Sequence, residues 1–127
     1  MMALIEQKKF SNDRAAFHDS DSGVYRYCSF DSFSADGPHI GAVFIGCKFN
    51  RVDLYWTMFN CAVLVSCTFE DCVFRGATFA GSKFVDCTFI RCQFVKDNMG
   101  GGCTSTDTHW YGCVATECEG WDSLCKK

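Results

Sequence analysis

The chain has 127 residues and a formal net charge of −3, with 48% hydrophobic and 16% aromatic residues. This length predicts a single hydrophobic core and no second domain. The slight negative charge, without a basic stripe, argues against direct binding of nucleic acid. No apolar run approaches the ~20 residues of a transmembrane helix, and the N-terminus lacks the pattern of a secretory signal. We therefore expect a cytoplasmic protein with no membrane partner.

The first forty residues carry an interrupted pattern of apolar residues at five-residue spacing. Its members are Ile5, Phe10, Ala15, Tyr25, Phe30, Ala35 and Ile40. Asp36-Gly37-Pro38 predicts a loop, because glycine and proline interrupt regular structure. Residues 23–40 are interpreted as a degenerate copy of the repeat that follows. Residues 1–22 form either an irregular cap or a further degenerate copy.

From residue 42 to residue 99 a large apolar residue occupies every fifth position. These residues are Phe44, Phe49, Leu54, Phe59, Leu64, Phe69, Phe74, Phe79, Phe84, Phe89, Phe94 and Met99. The residue two positions earlier is small or β-branched each time, except at Asp97. A period of five fits neither a helix nor a flat strand, and residues two apart point to the same side of an extended backbone. The run therefore predicts a repeat architecture in which each quintet buries one large and one small residue.

Beyond Met99 the pattern changes phase. Gly100-Gly101-Gly102 interrupts the run and is interpreted as a turn between coils. Small residues then return at five-residue spacing, at Cys103, Thr108, Cys113 and Cys118. Residues 100–127 are therefore predicted to form one irregular coil and a C-terminal cap, because the end of a repeat array must cover its open core.

Four quintets carry a resemblance to a known family. They are Cys-Lys-Phe-Asn-Arg, Cys-Thr-Phe-Glu-Asp, Cys-Val-Phe-Arg-Gly and Cys-Thr-Phe-Ile-Arg, beginning at residues 47, 67, 72 and 87. They resemble the pentapeptide-repeat proteins. The resemblance implies an all-β fold, a right-handed quadrilateral β-solenoid with irregular terminal caps, in which one quintet makes one side and four quintets make one coil. The single domain would then comprise a cap or degenerate coil (1–22), a degenerate coil (23–40), regular repeats (41–99) and an irregular coil with a C-terminal cap (100–127).

The cysteines are predicted to be structural. Most of the eleven stand at the small inward position, where a free thiol packs as a small hydrophobic group. Cys67 and Cys72 have a spacing that would suit a metal site, but this spacing is simply the repeat, and the two would lie on different sides. We therefore predict reduced thiols and no metal. Cys61 and Cys125 are the alternatives for a reactive thiol.

No catalytic or cofactor-binding residue is predicted. His18, His39 and His109 are scattered through the flanking segments. His109 and Cys113 could in principle form a nucleophilic pair, but the repeat directs Cys113 inward. The glycine run at 100–102 lacks the following Lys-Ser/Thr of a phosphate-binding loop. These observations indicate a protein that is not an enzyme.

The outward positions predict an interface with another protein. Around the core residues Phe44, Leu64 and Phe84, five of the six flanking positions are aliphatic, as expected for the centre of an interface. The predicted partner-binding residues are Ile45, Val65, Val85 and Val63, with Tyr55, Trp56 and Met58 nearby and Arg51, Glu70, Asp71 and Arg91 as a polar rim. The alternatives are that β-branched residues merely suit strands, or that residues 1–22 cover this side.

The outward positions are compatible with two classes of partner. The main hypothesis is an immunity protein that neutralises a cognate bacterial toxin, for example a nuclease effector. The alternative is a DNA-mimicking protein that binds a topoisomerase such as gyrase, as the resemblance implies for some family members. Residues 40–99 contain five acidic and six basic residues, so the acidic columns expected of a DNA mimic are missing there.

Overall fold

The computed structural model of the chain describes residues 4–12, 17 and 22–124. These residues form short strands and one terminal helical turn. The elements are β1 (Leu4–Glu6), β2 (Lys9–Ser11), β3 (Val24–Arg26), β4 (Ser29–Asp36), β5 (His39–Ile40), β6 (Val43–Ile45), β7 (Lys48–Tyr55), β8 (Met58–Asn60), β9 (Val63–Val65), β10 (Thr68–Glu70), β11 (Val73–Arg75), β12 (Thr78–Ala80), β13 (Lys83–Val85), β14 (Thr88–Ile90), β15 (Gln93–Val95), β16 (His109–Tyr111), β17 (Val114–Thr116) and α1 (Trp121–Leu124).

The strands stack in parallel, and the register places equivalent quintets of successive coils above one another. Phe49 pairs with Phe69, and Phe69 pairs with Phe89. Side 1 contains β1, β3, β6, β9, β13 and β16, and side 4 contains β5, β8 and β12. Side 2 contains β2, β10, β14, β17 and the first halves of the long strands β4 and β7. Side 3 contains β11, β15 and the second halves of β4 and β7. The predicted all-β, four-sided solenoid is confirmed.

Stacked aromatic rings fill the core. Phe69 lies 4.4 Å from Phe49 and 4.9 Å from Phe89 between ring centroids, with the rings nearly parallel. Rings of neighbouring sides meet at steeper angles, as Phe44 and Phe49 do at 61°. All eleven large residues from Phe44 to Phe94 in the run are buried. Burying each of them contributes roughly 1.5–3 kcal/mol, so the ladders stabilise the whole array.

The small inward residues line the corners of this core. The Cys67 thiol donates a hydrogen bond to the carbonyl oxygen of Phe44 at 3.4 Å, and the Cys87 thiol does the same to Leu64. Ten cysteines fall in the described ranges and all are free; six of these are buried, namely Cys28, Cys47, Cys67, Cys72, Cys87 and Cys92. The thiols therefore act as packing groups that also satisfy main-chain carbonyls.

We expect the cysteines to resist alkylation until the protein unfolds. Burial raises the pKa of the Cys28, Cys103 and Cys118 thiols, which lowers their reactive thiolate fraction. Among the cysteines of residues 4–12, 17 and 22–124, Cys61 is exposed and should react first. Mass spectrometry after iodoacetamide treatment, with and without denaturant, measures this. The Cys61→Ser variant should lose the fast alkylation of this thiol. Bound zinc, or several disulfides in protein made in a reducing cytoplasm, would contradict the packing role of the cysteines.

The expectation that Met99 is the twelfth inward residue was wrong. Its side chain is 82% exposed, and the buried run ends at Phe94. The cause is Asp97, whose charged side chain would have to occupy the small buried position. Its carboxylate instead accepts hydrogen bonds from the backbone N–H groups of Met99 (2.8 Å) and Gly101 (2.9 Å). Residues 96–102, hereafter the Asp97 loop, therefore leave the solenoid.

The solenoid resumes after this loop with a longer coil. Lys83 pairs with His109, 26 residues later, whereas Val63 pairs with Lys83, 20 residues later. The loop thus adds six residues and shifts the phase of the pattern. At this end Trp110 stacks on Phe84 at 4.5 Å, and Trp121 of α1 packs 5.0 Å from Phe89. These indole rings cover the last layer of the core.

The N-terminal part adds strands to sides 1 and 2. β1 pairs with β3 and β2 with β4, each with a register of 20 residues. Phe10 stacks on Phe30 at 4.7 Å, and Phe17 stacks on the same ring at 5.0 Å. His18 and Cys125, considered above as candidate chemical groups, lie outside the described residues. The described helix α1 has neither the length nor the apolar character needed to cross a bilayer.

Candidate protein-binding surfaces

Side 1 presents an apolar surface formed by two parallel columns. One column lies just before the core residues and contains Leu4, Val24, Val43 and Val63; the other lies just after them and contains Ile45, Val65, Val85 and Tyr111. We call these eight residues the apolar face. Leu4 and Tyr111 are exposed and the six aliphatic residues between them are half-buried. The face is continuous because each strand of side 1 stacks in register on the next.

The sequence interpretation missed both ends of this face. Leu4 and Val24 flank Ile5 and Tyr25, which stand one residue out of phase with the main run. Tyr111 follows Trp110, which the shifted C-terminal phase makes a core residue. Reading the outward positions of the degenerate coils in their own phase would have found all three.

Charged groups mark both ends of the apolar face. Arg26 forms an ion pair with Glu6 at the N-terminal end. Lys83 and His109 continue the first column at the C-terminal end. Tyr27, 60% exposed, lies at the corner above Gly46, where an added Cβ would lie 2.7 Å from its ring. Glycine at position 46 therefore leaves room for this ring at the edge of the face.

The predicted polar rim lies elsewhere, along the corner between sides 2 and 3. Arg91 pairs with Asp71, at 2.8 Å between Nε and Oδ1, and with Glu70. Arg51 reaches Asp31 at 3.2 Å. The Arg91 guanidinium lowers the pKa of Asp71 through this hydrogen bond. Opposite charges on successive coils thus satisfy one another, and such exposed pairs contribute little to stability.

Tyr55, Trp56 and Met58 form a third location. Tyr55 lies on side 3, Trp56 at the corner between sides 3 and 4, and Met58 at the start of side 4. Side 3 is opposite side 1 in a four-sided coil. The sequence interpretation expected these residues next to the apolar face. The structure places them away from it. A spacing of ten residues from Ile45 to Tyr55 places the two residues on opposite sides, because each quintet makes one side.

The Asp97 loop packs against Tyr55 and Trp56. The Trp56 indole N–H donates to the Asp97 carboxylate at 2.7 Å, and the Tyr55 hydroxyl donates to the side-chain oxygen of Asn98. Gly76, with a φ of 60°, lies beneath the loop, and a Cβ there would lie 2.7 Å from Asp97. Glycine is thus required for the loop to approach this corner.

We expect this loop contact to weaken in acid. The hydrogen bond from Trp56, together with backbone N–H groups, lowers the pKa of Asp97 below its ordinary value of 3.8. A lowered folded-state pKa means that the contact is fully formed above pH 3.8 and is lost as the pH falls through the folded-state value. Solvent exchange of the Trp56 indole N–H, followed by NMR, should accelerate over that range. The Asp97→Ala variant should show fast exchange of the Trp56 indole N–H already at neutral pH, whereas the control Asp107→Ala should not. Slow exchange in Asp97→Ala would contradict the hydrogen bond between Trp56 and Asp97.

A cleft opens between this loop and the neighbouring coils on side 3. Its volume is about 690 Å³, and its lining includes Asp36, Asp53, Tyr55, Trp56 and Asn98. Asp53 Oδ2 lies 3.4 Å from Nε of Arg75. Asp53 Oδ1 is buried and has no hydrogen-bond partner within the described ranges.

The described residues bring together no cluster of metal-ligating side chains. In residues 4–12, 17 and 22–124, no three His, Cys, Asp or Glu side chains are placed to hold a metal ion. The Cys113 thiol donates to the carbonyl oxygen of Phe84 at 3.3 Å and so points into the core. His109 lies on the outside, with its ring 5.6 Å from that of Tyr111.

Comparison with known proteins gives a family and a fold. The family profile described as "Pentapeptide repeats" matches residues 40–76 with eight copies. Two solved structures of QnrB1, a plasmid-mediated fluoroquinolone resistance protein, have the same fold. The full-length protein matches with a TM-score of 0.56 and 20% identity over 89% of this chain, and a trypsin-treated variant matches with 0.56, 19% and 89%. The chain spans 58–59% of their length. No curated protein matches it significantly.

Proposed function

The chain is a pentapeptide-repeat protein, and from this premise we propose that it is a non-enzymatic scaffold that binds another protein through its apolar face. The observation that carries the proposal is the continuity of this face over six stacked strands of side 1. Contiguous outward aliphatic residues are costly on a water-exposed surface unless a partner covers them. A rigid ladder also presents them without loss of conformational freedom on binding.

Two observations argue against the simpler explanations of this face. If these residues were there only to suit strands, the other sides should carry aliphatic side chains equally. Only Val114 is aliphatic in the outward column before the core residues of side 2, which contains Lys9, Ser29, Lys48, Thr68, Thr88 and Val114. If residues 1–22 were a cover, their described part would lie across side 1, whereas the described residues Leu4–Glu6 join that side as a strand.

A topoisomerase is the first candidate partner. The solved structures with this fold belong to a plasmid-mediated fluoroquinolone resistance protein. This likeness supports the topoisomerase alternative over the immunity hypothesis. The surface nevertheless argues against DNA mimicry as the mode of binding, because among the described residues the acids alternate with Arg51, Arg75 and Arg91 rather than forming a column. Contact would then be made through the apolar face.

A toxin remains the second candidate partner. The specific observation in its favour is the same apolar, charge-balanced surface, which suits one-to-one blockade of a protein better than imitation of a polyanion. Both candidates require a cytoplasmic location, which we also propose.

Two assays separate these candidates. In a fluoroquinolone-sensitive bacterium, expression of the protein should raise the minimum inhibitory concentration, and purified protein should alter gyrase supercoiling activity. In the second assay, the protein is co-expressed with the toxin-like product of the adjacent gene, and growth is scored. Protection in the second assay alone would assign the immunity role. Failure to bind or affect either partner would contradict the proposed function.

A further inference from the structure

In the last coil of the solenoid, two cysteines stack directly on cysteines of the coil before it. Cys113 lies over Cys87 and Cys118 lies over Cys92, because the residue after each outer cysteine donates its backbone N–H to the carbonyl oxygen of the inner one at 3.0 Å. The two thiols of each pair also interact directly. We call Cys87–Cys113 and Cys92–Cys118 the terminal thiol pairs.

The terminal thiol pairs differ from the other stacked cysteines because their outer members reach solvent. Cys113 and Cys118 are half-buried, whereas Cys87 and Cys92 are completely buried. The backbone N–H of Cys92 donates to the Cys118 sulfur at 3.4 Å. A backbone N–H in this position stabilises negative charge on a sulfur that loses its proton. Each pair therefore combines an accessible outer thiol with an inner thiol fixed in the core.

The stacking distance of these thiols suits a cation with two ligands. Equivalent side chains of successive coils repeat at the spacing of neighbouring strands, ~4.8 Å. A metal–thiolate bond is about 2.3 Å long, so two opposed bonds span about 4.6 Å. Zinc does not fit, since it takes four ligands and no three metal-ligating side chains converge among the described residues. A disulfide fits less well, because its Cβ atoms lie about 3.8 Å apart, closer than residues in register on neighbouring strands.

We propose that each terminal thiol pair binds one Cu(I) ion, in linear coordination between its two sulfur atoms. Thiolates are the protein ligands that soft cations such as Cu(I) prefer. On binding, both thiols release their protons to solvent, and the outer sulfurs give up the hydrogen bonds that they donate to the carbonyl oxygens of Phe84 and Phe89. The oxidation state of the metal does not change. The bound ions would join the last coil to the coil before it, and this property does not depend on the proposed function.

The last coil also contains a matched cysteine with no thiol beneath it. Cys103 occupies the equivalent inward position, is half-buried, and donates to the carbonyl oxygen of Phe74 at 3.3 Å. It lies over Ala77, whose carbonyl oxygen accepts the backbone N–H of the residue after Cys103 at 3.0 Å. Cys103 should therefore not bind the ion. The Ala77→Cys variant supplies the missing thiol and should create a third site.

The probe is Cu(I) itself, presented to the whole chain without oxygen as its coloured bicinchoninate complex. A single thiol competes poorly with this chelator, so loss of the colour reports paired thiols. The unaltered protein should remove two equivalents of Cu(I). Cys113→Ser and Cys118→Ser should each remove one, and the double variant should remove none. Cys103→Ser should still remove two, and Ala77→Cys should remove three.

Serine is the matched replacement at these positions. Ser82 occupies an equivalent inward position, is completely buried, and accepts a hydrogen bond from the backbone N–H of Ala62 at 3.1 Å. Serine therefore keeps the local hydrogen bonding and removes only the soft ligand. Circular dichroism checks that each variant folds. If a serine variant does not, Cys113→Ala or Cys118→Ala replaces it, since alanine is buried at the equivalent positions 62 and 77.

X-ray absorption at the copper edge tests the coordination. The spectrum should show two sulfur ligands for each Cu(I) ion and no third. The proposal would be overturned by no uptake in the unaltered protein, by undiminished uptake in the double variant, or by a shell of three sulfur atoms. Uptake by Ala77→Cys that stays at two equivalents would contradict the rule that two stacked thiols make a site. No partner protein enters these measurements, so their outcome is distinct from that of the partner assays.

Discussion

Replacing Phe69 by alanine should lower the free energy of unfolding by about 3–5 kcal/mol. Phe69 is completely buried and lies between Phe49 and Phe89, with ring centroids 4.4 and 4.9 Å away. Truncation leaves a cavity that the neighbouring rings cannot fill, because each is fixed by its own strand in the ladder. Chemical denaturation followed by circular dichroism measures the loss.

The control is the adjacent outward residue in the same strand. Thr68→Ala changes a side chain that points away from the core, so its effect should stay within about ±0.5 kcal/mol. Similar losses for the two variants would contradict the inward and outward assignments on which both the fold and the surfaces rest. The regular spacing of the ladder also predicts that Phe74→Ala behaves like Phe69→Ala.

The core was predictable from sequence because each quintet repeats the same physical solution. One large and one small residue, two positions apart, must both point inward, and eleven consecutive copies from Phe44 to Phe94 leave one consistent phase. The cysteines followed from the same rule, since the small inward position tolerates a thiol whose hydrogen goes to a main-chain carbonyl, as in Cys67 and Phe44. The five-residue pattern alone was therefore sufficient to predict the buried positions.

The surfaces were less predictable because they depend on contacts between distant residues. Trp56 and Asp97 are 41 residues apart, and no local pattern shows that their side chains form a hydrogen bond. Met99 kept the five-residue spacing by coincidence while its backbone had already left the solenoid. The sequence interpretation placed Tyr55 near Ile45. Two quintets separate these residues along the chain, which puts them on opposite sides of the coil. The Asp97 loop and its cleft therefore emerged only from the structure.

Replacing Val65 by aspartate should weaken binding of the partner by about 2 kcal/mol or more. Val65 lies in the middle of the apolar face, between Ile45 and Val85 in the stacked strands. A charged group at the centre of an apolar interface must be desolvated without a matching cation. Folding should be little affected, with a stability change within about 1 kcal/mol, because position 65 points outward.

The matched control is Thr68→Asp, which adds the same charge to the same coil on side 2. Thr68 is half-buried like Val65 and pairs with Lys48, so aspartate is accommodated there. The control should bind the partner as the unaltered protein does. Weakened binding in both variants would indicate a general effect of charge rather than loss of the apolar contact.

The affinity of these two variants for the partner captured by the unaltered protein, measured by isothermal titration calorimetry, tests the central claim most directly. The account predicts that Val65→Asp loses at least about 30-fold in affinity, the equivalent of 2 kcal/mol, while Thr68→Asp keeps the original Kd. An unchanged Kd for a folded Val65→Asp protein would contradict the assignment of the apolar face as the binding surface.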